Sequence, residues 1–188
     1  MKSLKIANAS QITEQLWIGG ELSATNPKTA KRQLDELRCA GVDAIVDCRI
    51  ERDDLDWVTE AKPQIDYLYI GVEDAGFQMP DDWFDDGTTY ALEQIHVGHV
   101  VLSHWAGINR GPSMGFAILI AQGWDPIEAS TCMKASRPIM RAVYAEQAVD
   151  WWSPKNAQPL GVAEREIARI QTWRAINQVP GIYVDPTT

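Results

Sequence analysis

Apolar and polar positions along the chain switch between a period near two and a period near 3.6, and the switches mark its elements. Residues 11–22, QITEQLWIGGEL, alternate up to a Gly-Gly pair, which predicts a short strand and a turn. Asn26-Pro27 opens a helical pattern with Leu34, Leu37 and Cys39 near one face and Gly41 as its stop. VDAIVD (residues 42–47) and IDYLYIGV (65–72) are short apolar runs bounded by glycine or charge, as expected of buried strands whose far ends deliver polar loops. EDAGFQMPDD (73–82) mixes carboxylates with Gly76 and Pro80 and reads as a surface loop. Helical spacing resumes at Asp81 and runs through Gln94, with Trp83, Phe84, Tyr90, Leu92 and Ile95 apolar and Gly98 as the stop.

HVVLS (99–103) is the most strand-like segment, and it runs through HWAGINRGPS into the apolar helix SMGFAILIAQG. Asp125-Pro126-Ile127-Glu128 carries a capping residue, a first-turn proline and a glutamate, a helix start. A further helix is expected after Pro138, with Ile139, Val143, Ala148 and Trp152 along it, followed by the linker SPKNAQPLG. The last amphipathic stretch, VAEREIARIQTWRAI, puts Val162, Ile167, Ile170, Trp173 and Ile176 on roughly one side, to pack on the rest. No internal repeat or low-complexity tract interrupts the series. Alternating strands and helices predict an α/β fold with a central, mostly parallel sheet flanked by helices and an added C-terminal helix.

A chain of 188 residues, 45% hydrophobic and 23% charged, suits one compact domain. The expected division is a domain over residues 11–152 and a linker with a C-terminal helix over 153–188. A formal charge of -9 disfavours nucleic acid and anionic membrane surfaces as partners, so any anion must be held locally. The N-terminus lacks a secretory apolar run and no stretch approaches a membrane span, which predicts a cytoplasmic protein. Cys39, Cys48 and Cys132 form neither a CxxC pair nor a disulfide framework and read as reduced packing thiols. With three histidines, no zinc site is expected, nor any other metal or cofactor.

The chemistry concentrates after the 99–103 strand. AGINRGPS sets Gly107 and Gly111 around Arg110 and starts a helix through Pro112 and Ser113. Two readings stand at this point. In one, backbone N–H groups of a glycine-rich loop, a helix N-terminus and a guanidinium fork converge on a tetrahedral oxyanion. In the other, the glycines only make a tight turn and Arg110 is a solvated surface charge.

VVLSHWAGINRGPSMGFAILI resembles the phosphate-binding loop of the cysteine-dependent dual-specificity protein phosphatases, whose pattern is His-Cys, five residues, Arg, then Ser or Thr. The likeness extends over roughly residues 11–152. ITEQLWIGG is similar to the family's opening strand, GVDAIVDCRIERDD to its strand ending in Asp-x-Arg, YLYIGVEDAGFQMPDDWF to its strand and general-acid loop, and KASRPIMRAVYAEQAVDWW to its late helix pair. The loop departs from the pattern at the decisive position. Counting back six from Arg110 places His104 where the family has its nucleophilic cysteine and Ser103 where it has the preceding histidine; Gly111 replaces the small polar residue after the arginine. A one-residue deletion would instead make His104 the preceding histidine, and in either alignment the thiol is missing.

The resemblance therefore implies a phosphatase-like protein that keeps a phosphate-binding loop, His104, Trp105, Ala106, Gly107, Ile108, Asn109 and Arg110, with the helix start at Ser113. It would lack the thiolate path, which needs an activated sulfur beside the oxyanion cradle. The ligand would be a phosphorylated protein or a phosphate-bearing small molecule. Two alternatives stand beside it. In one, a phosphomonoester hydrolase uses His104 as nucleophile or water-orienting base, Arg110 for the transition state and Asp74 as acid. In the other, the chain is an interaction scaffold with a relic pocket. Among the loop carboxylates Glu73, Asp74, Asp81 and Asp82, Asp74 best matches the family's general acid, while Asp81 and Asp82 suit a helix N-terminus. Trp105 would either line the pocket mouth or pack inward. Arg49 would either help bind ligand or pair with Asp53 or Asp54, and Arg137 is expected to be structural.

Overall fold

The computed structural model describes residues 2–104 and 107–180. Its elements, in chain order, are β1 (Ser3–Leu4), β2 (Ala9–Gln11), β3 (Leu16–Gly19), α1 (Pro27–Cys39), β4 (Val42–Arg49), α2 (Leu55–Ala61), β5 (Asp66–Val72), α3 (Asp81–His96), β6 (Val100–His104), α4 (Arg110–Ala121), α5 (Pro126–Ser136), α6 (Ala145–Lys155) and α7 (Val162–Asn177). One six-stranded sheet has the order β1-β2-β3-β6-β4-β5. The pairs β1–β2 and β2–β3 are antiparallel, whereas β3–β6, β6–β4 and β4–β5 are parallel. The expected α/β architecture is present, with helices on both faces.

Each face has its own core. Met114, Phe116, Ile118 and Leu119 of α4 pack with Phe84 of α3, Val149 of α6 and Ile167 of α7 on one side. Leu34 and Leu37 of α1 and Val58 of α2 meet Trp17 and Leu102 on the other. The near-continuous apolar runs of β4 and β6 follow from this double coverage, because neither strand has a solvent face on which to place polar residues. Asn26 caps α1 through Thr29 N, and Asp125 caps α5 through Ile127 N and Glu128 N, as their sequence signatures require.

Several expectations need correction. The short opening strand and its turn are present as β3, but β1 and β2 precede it unforeseen, and α2 lies in a stretch to which the sequence pattern assigned no element. The helix expected from Pro138 begins at Ala145. Residues 138–144 have helical apolar spacing, but their backbone donors are taken elsewhere: Arg141 N bonds to Ile108 O at 2.6 Å and Val143 N to Asn109 Oδ1 at 2.7 Å. Ile139 is accordingly exposed rather than packed. α6 runs through Ser153, Pro154 and Lys155, so the linker is shorter than expected. On α7, Ile167 and Ile170 are buried as expected, but Ile176 is 75% exposed. Arg174 takes the inward place instead, its guanidinium on Glu146 Oε1 at 2.8 Å and on backbone carbonyls. Of the thiols, Cys48 is buried and Cys132 half-buried, whereas Cys39, at the end of α1, is exposed and not a packing residue. The last eight residues of the 153–188 segment lie outside the described residues.

Candidate functional site

Parallel strands deliver their loops at one edge of a sheet, and in open α/β folds ligands sit beyond those carboxyl ends. Here β6, flanked by β3 and β4, ends at His104, which pairs in register with Gly19 and Asp47. The chain then turns back through Gly107, Ile108 and Asn109 into α4, whose first residue is Arg110. Trp105 and Ala106 lie outside the described residues.

Arg110 is 1% exposed, which disposes of the solvated-charge reading. Its Nη2 donates to Glu51 Oε1 at 2.8 Å, Nη1 donates to the Val72 carbonyl, and Nε lies 3.7 Å from Asp74 Oδ2. The guanidinium is thus held beside the N-terminus of α4 by the ends of β4 and β5. Burial pushes the Glu51 carboxyl up, but the hydrogen bond and charge of Arg110, a backbone hydrogen bond and the charge of Arg49 together outweigh this and the net shift is downward.

The loop is fastened from below and from the side. Gly107 has φ +62°, and its carbonyl accepts from Arg137 Nε at 2.6 Å. Arg137 also donates to Asn8 O and Ser10 Oγ, so it ties the loop to β2 and its turn, the structural role expected of it. A Cβ at Gly107 would stand 2.2 Å from that guanidinium. Left-handed backbone already costs a non-glycine residue roughly 1–2 kcal/mol, and Arg137 is pinned and cannot yield. Gly107→Ala should therefore destabilise the protein by about 2 kcal/mol or more, a cost that urea unfolding will read. Ser103 Oγ donates to Gly111 O at 2.8 Å, and the buried Ser113 Oγ accepts from Tyr144 N at 3.3 Å.

Asp74 meets the loop directly. Its Oδ1 accepts from Asn109 Nδ2 and, at 2.8 Å, from Tyr144 Oη. Burial and that carboxylate push the Tyr144 hydroxyl up to about 12, so it stays a donor. Gly76 N donates to Tyr144 Oη at 3.2 Å and Met79 N to Gln147 Oε1 at 2.7 Å, which ties the acidic loop to the start of α6. Glu73, Asp81 and Asp82 are exposed; the latter two lie in the first turn of α3, where their charge opposes the helix dipole.

Beneath the loop is a buried ionic network. Asp47 accepts from Arg49 N at 2.9 Å, Nε at 3.0 Å and Nη2 at 2.6 Å, and from Tyr67 Oη; Arg49 also reaches Asp54. Of the partners expected for Arg49, Asp54 is the one it takes. His104 Nδ1 lies 3.4 Å from Asp47 Oδ1, and neither ring nitrogen makes a hydrogen bond among the described residues. Burial alone would raise the Asp47 carboxyl, but His104 and Arg49 outweigh it and hold it well below the usual carboxylate range. Cys48, next along β4, has its thiol pushed strongly up by burial and by Asp47, so it offers no thiolate. Among the described residues no group of three or more His, Cys, Asp or Glu side chains is placed to hold a metal ion.

No protein-family model matches the sequence, and no curated protein does. Solved structures do. PTPMT1 in complex with PI(5)P superposes with a TM-score of 0.62 at 20% identity, covering 87% of this chain and 99% of that one. The human tyrosine phosphatase-like serine/threonine/tyrosine-interacting protein gives 0.63 at 18%, with 80% and 99% covered, and DUSP15 gives 0.58 at 18%, with 92% and 96% covered. The chain has the dual-specificity phosphatase fold. Within that fold Arg110 beyond β6, Glu51 beyond β4 and the acidic 73–80 loop beyond β5 come together from three strand ends.

Sequence reasoning missed Glu51, Tyr144 and Gln147. Glu51 sits in the polar CRIERDD stretch, just past the carboxyl end of β4, and that placement was its one available signal. Tyr144 and Gln147 were hidden by the continuous-helix reading of residues 138–152.

Proposed function

We propose that this protein binds phosphate-bearing ligands, a phosphorylated protein or a phosphate-bearing small molecule, through residues 104–110 and lacks cysteine-based hydrolysis. The observation that carries this reading is the pairing of Arg110 with α4: a buried guanidinium, oriented by Glu51 and the Val72 carbonyl, at the first turn of a twelve-residue helix. A cation and a helix N-terminus so combined favour a tetrahedral anion whether or not a nucleophile accompanies them. Support for the loss of chemistry comes from the other end of the loop. His104, at the nucleophile's position in the ungapped alignment, is 1% exposed with Nδ1 turned to Asp47. The nearby thiol, Cys48, is buried and protonated. Asp74, the general-acid candidate, accepts hydrogen bonds from Asn109 and Tyr144. The fold neighbour named as a tyrosine phosphatase-like interacting protein is in keeping with binding without turnover.

The test pairs thermal unfolding with a turnover assay. Inorganic phosphate or vanadate should stabilise the protein, by about 2.7 kcal/mol at a hundredfold excess over Kd, while p-nitrophenyl phosphate should not be hydrolysed. Turnover that disappears in His104→Ala would establish the histidine-dependent hydrolase instead. Absence of both stabilisation and turnover would leave the scaffold.

A further inference from the structure

Arg174 of α7 is 6% exposed, and its five N–H groups meet five acceptors. Nε and Nη2 donate to the two carboxylate oxygens of Glu146 on α6, at 2.8 and 3.1 Å. Nη1 donates to the carbonyls of Arg141 at 2.7 Å and Pro180 at 3.0 Å, and Nη2 donates to the carbonyl of Ala142. The side chain thus clamps the segment between α5 and α6 at two successive carbonyls.

The N–H groups of those same two peptide units are spent on the candidate anion loop. The 141–142 unit accepts from Arg174 at its oxygen and donates from Ala142 N to Ile108 O at 3.4 Å. The 142–143 unit likewise accepts from Arg174 and donates from Val143 N to Asn109 Oδ1 at 2.7 Å. Their neighbours extend the contact, with Arg141 N on Ile108 O at 2.6 Å and Tyr144 N on Ser113 Oγ at 3.3 Å. A trans peptide unit is planar, so a clamp on its oxygen also fixes the direction of its N–H. A charged donor on the carbonyl further polarises that N–H toward its own acceptor. The clamped conformation is not one the backbone favours by itself: Ala142 has φ +47°, left-handed for a residue with a Cβ, and the surrounding bonds must hold it there. Asn109 directly precedes Arg110, and its side chain is shared between Val143 N and Asp74.

We propose that Arg174 is a positioning residue for the candidate anion site: through the 141–143 peptide groups, α7 sets the geometry of residues 108–110 and so tunes how tightly Arg110 and the start of α4 hold a phosphate. This rests on the phosphate-binding reading and adds to it a control exerted from the C-terminal helix. Lysine cannot take the place of Arg174, because three donors on one nitrogen do not span two carbonyls and both oxygens of a carboxylate. Coupling of this kind is reciprocal, so a bound anion also tightens the docking of α7.

The experiment measures inorganic phosphate and vanadate affinity by calorimetry on the full chain, in the wild type, Arg174→Lys and Leu34→Ala, at a temperature where each is folded. Leu34 is fully buried in the core on the other face of the sheet and shows what lost stability does by itself. Arg174→Lys should bind about fivefold more weakly or worse, whereas Leu34→Ala should bind as the wild type does. The amide protons of Ala142 and Val143 should exchange faster in Arg174→Lys, by more than its loss of stability in urea accounts for. In the wild type, saturating phosphate should slow exchange at Val179, whose N–H closes the end of α7 on the Arg174 carbonyl. Equal affinity in Arg174→Lys and the wild type or, if that variant does not fold, no response of Val179 to phosphate, would overturn this inference and spare the phosphate site. If the wild type binds neither phosphate nor vanadate, the phosphate-binding reading falls, and this inference with it.

Discussion

Asp47→Ala should cost about 3–5 kcal/mol of stability, the largest effect expected of a single substitution in this protein. Asp47 is 0% exposed, Arg49 1% and Asp54 3%, so the partners left behind cannot turn to water. Removing the carboxylate takes the acceptor from three donors of Arg49 and from Tyr67, and removes the anion facing His104. What remains is a buried guanidinium supported by Asp54 and a buried imidazole without its carboxylate neighbour. The penalty is the desolvation of groups that stay in place, which is why it exceeds the net value of the ion pair itself. Urea unfolding should show the lower midpoint at unchanged slope, and a loss under about 1 kcal/mol would mean that water reaches the network.

The same residue sets an acid limit. Its carboxyl is depressed in the folded state, so its contribution is fully present above the ordinary aspartate value of about 4 and drains away as pH falls below that value. Wild-type stability should therefore decline as pH falls below about 4, and Asp47→Ala should flatten that part of the profile.

Arg110→Lys should weaken phosphate or vanadate binding at least tenfold, with the variant still folded. Lysine keeps the positive charge but replaces a planar fork by a single point donor, and bidentate charge-assisted hydrogen bonds are each worth roughly 1.5–3 kcal/mol. The loss should appear as a smaller rise in unfolding temperature at a fixed anion concentration. Arg110→Ala should abolish the rise and lower basal stability too, because Glu51 and the Val72 carbonyl lose their donor. Stabilisation in Arg110→Lys equal to that of the wild type would show that the anion is held somewhere else.

The strands of the parallel sheet were legible because burial on both faces writes a signal that needs no partner to be read: β4 and β6 are apolar runs with charge or glycine at their ends. α1 and α5 were legible through their caps, which are local hydrogen bonds between residues two or three apart. β1, β2 and α2, at two, three and seven residues, are too short for a period to show. The 138–144 segment failed differently. Its spacing is helical, but Ile108 O and Asn109 Oδ1, more than thirty residues earlier, accept the N–H groups that a helix would have used. Arg174 illustrates the converse error, since a charged residue on the buried stripe of α7 makes sense only once Glu146 of α6 is known to face it.

The candidate site divides along the same line. Order along the chain was sufficient to place a glycine-flanked arginine between a buried strand and a helix, to put an acidic loop after the preceding strand, and to show that no cysteine occupies the loop, because these are properties of neighbouring residues. Whether Arg110 is a surface charge or a buried, oriented cation was decided by Val72 and Glu51, 38 and 59 residues away. The burial of His104 was likewise decided by β4 lying beside β6. Strand order brings these groups together, and strand order is a property of the whole sheet, so no window of sequence around the loop contains it.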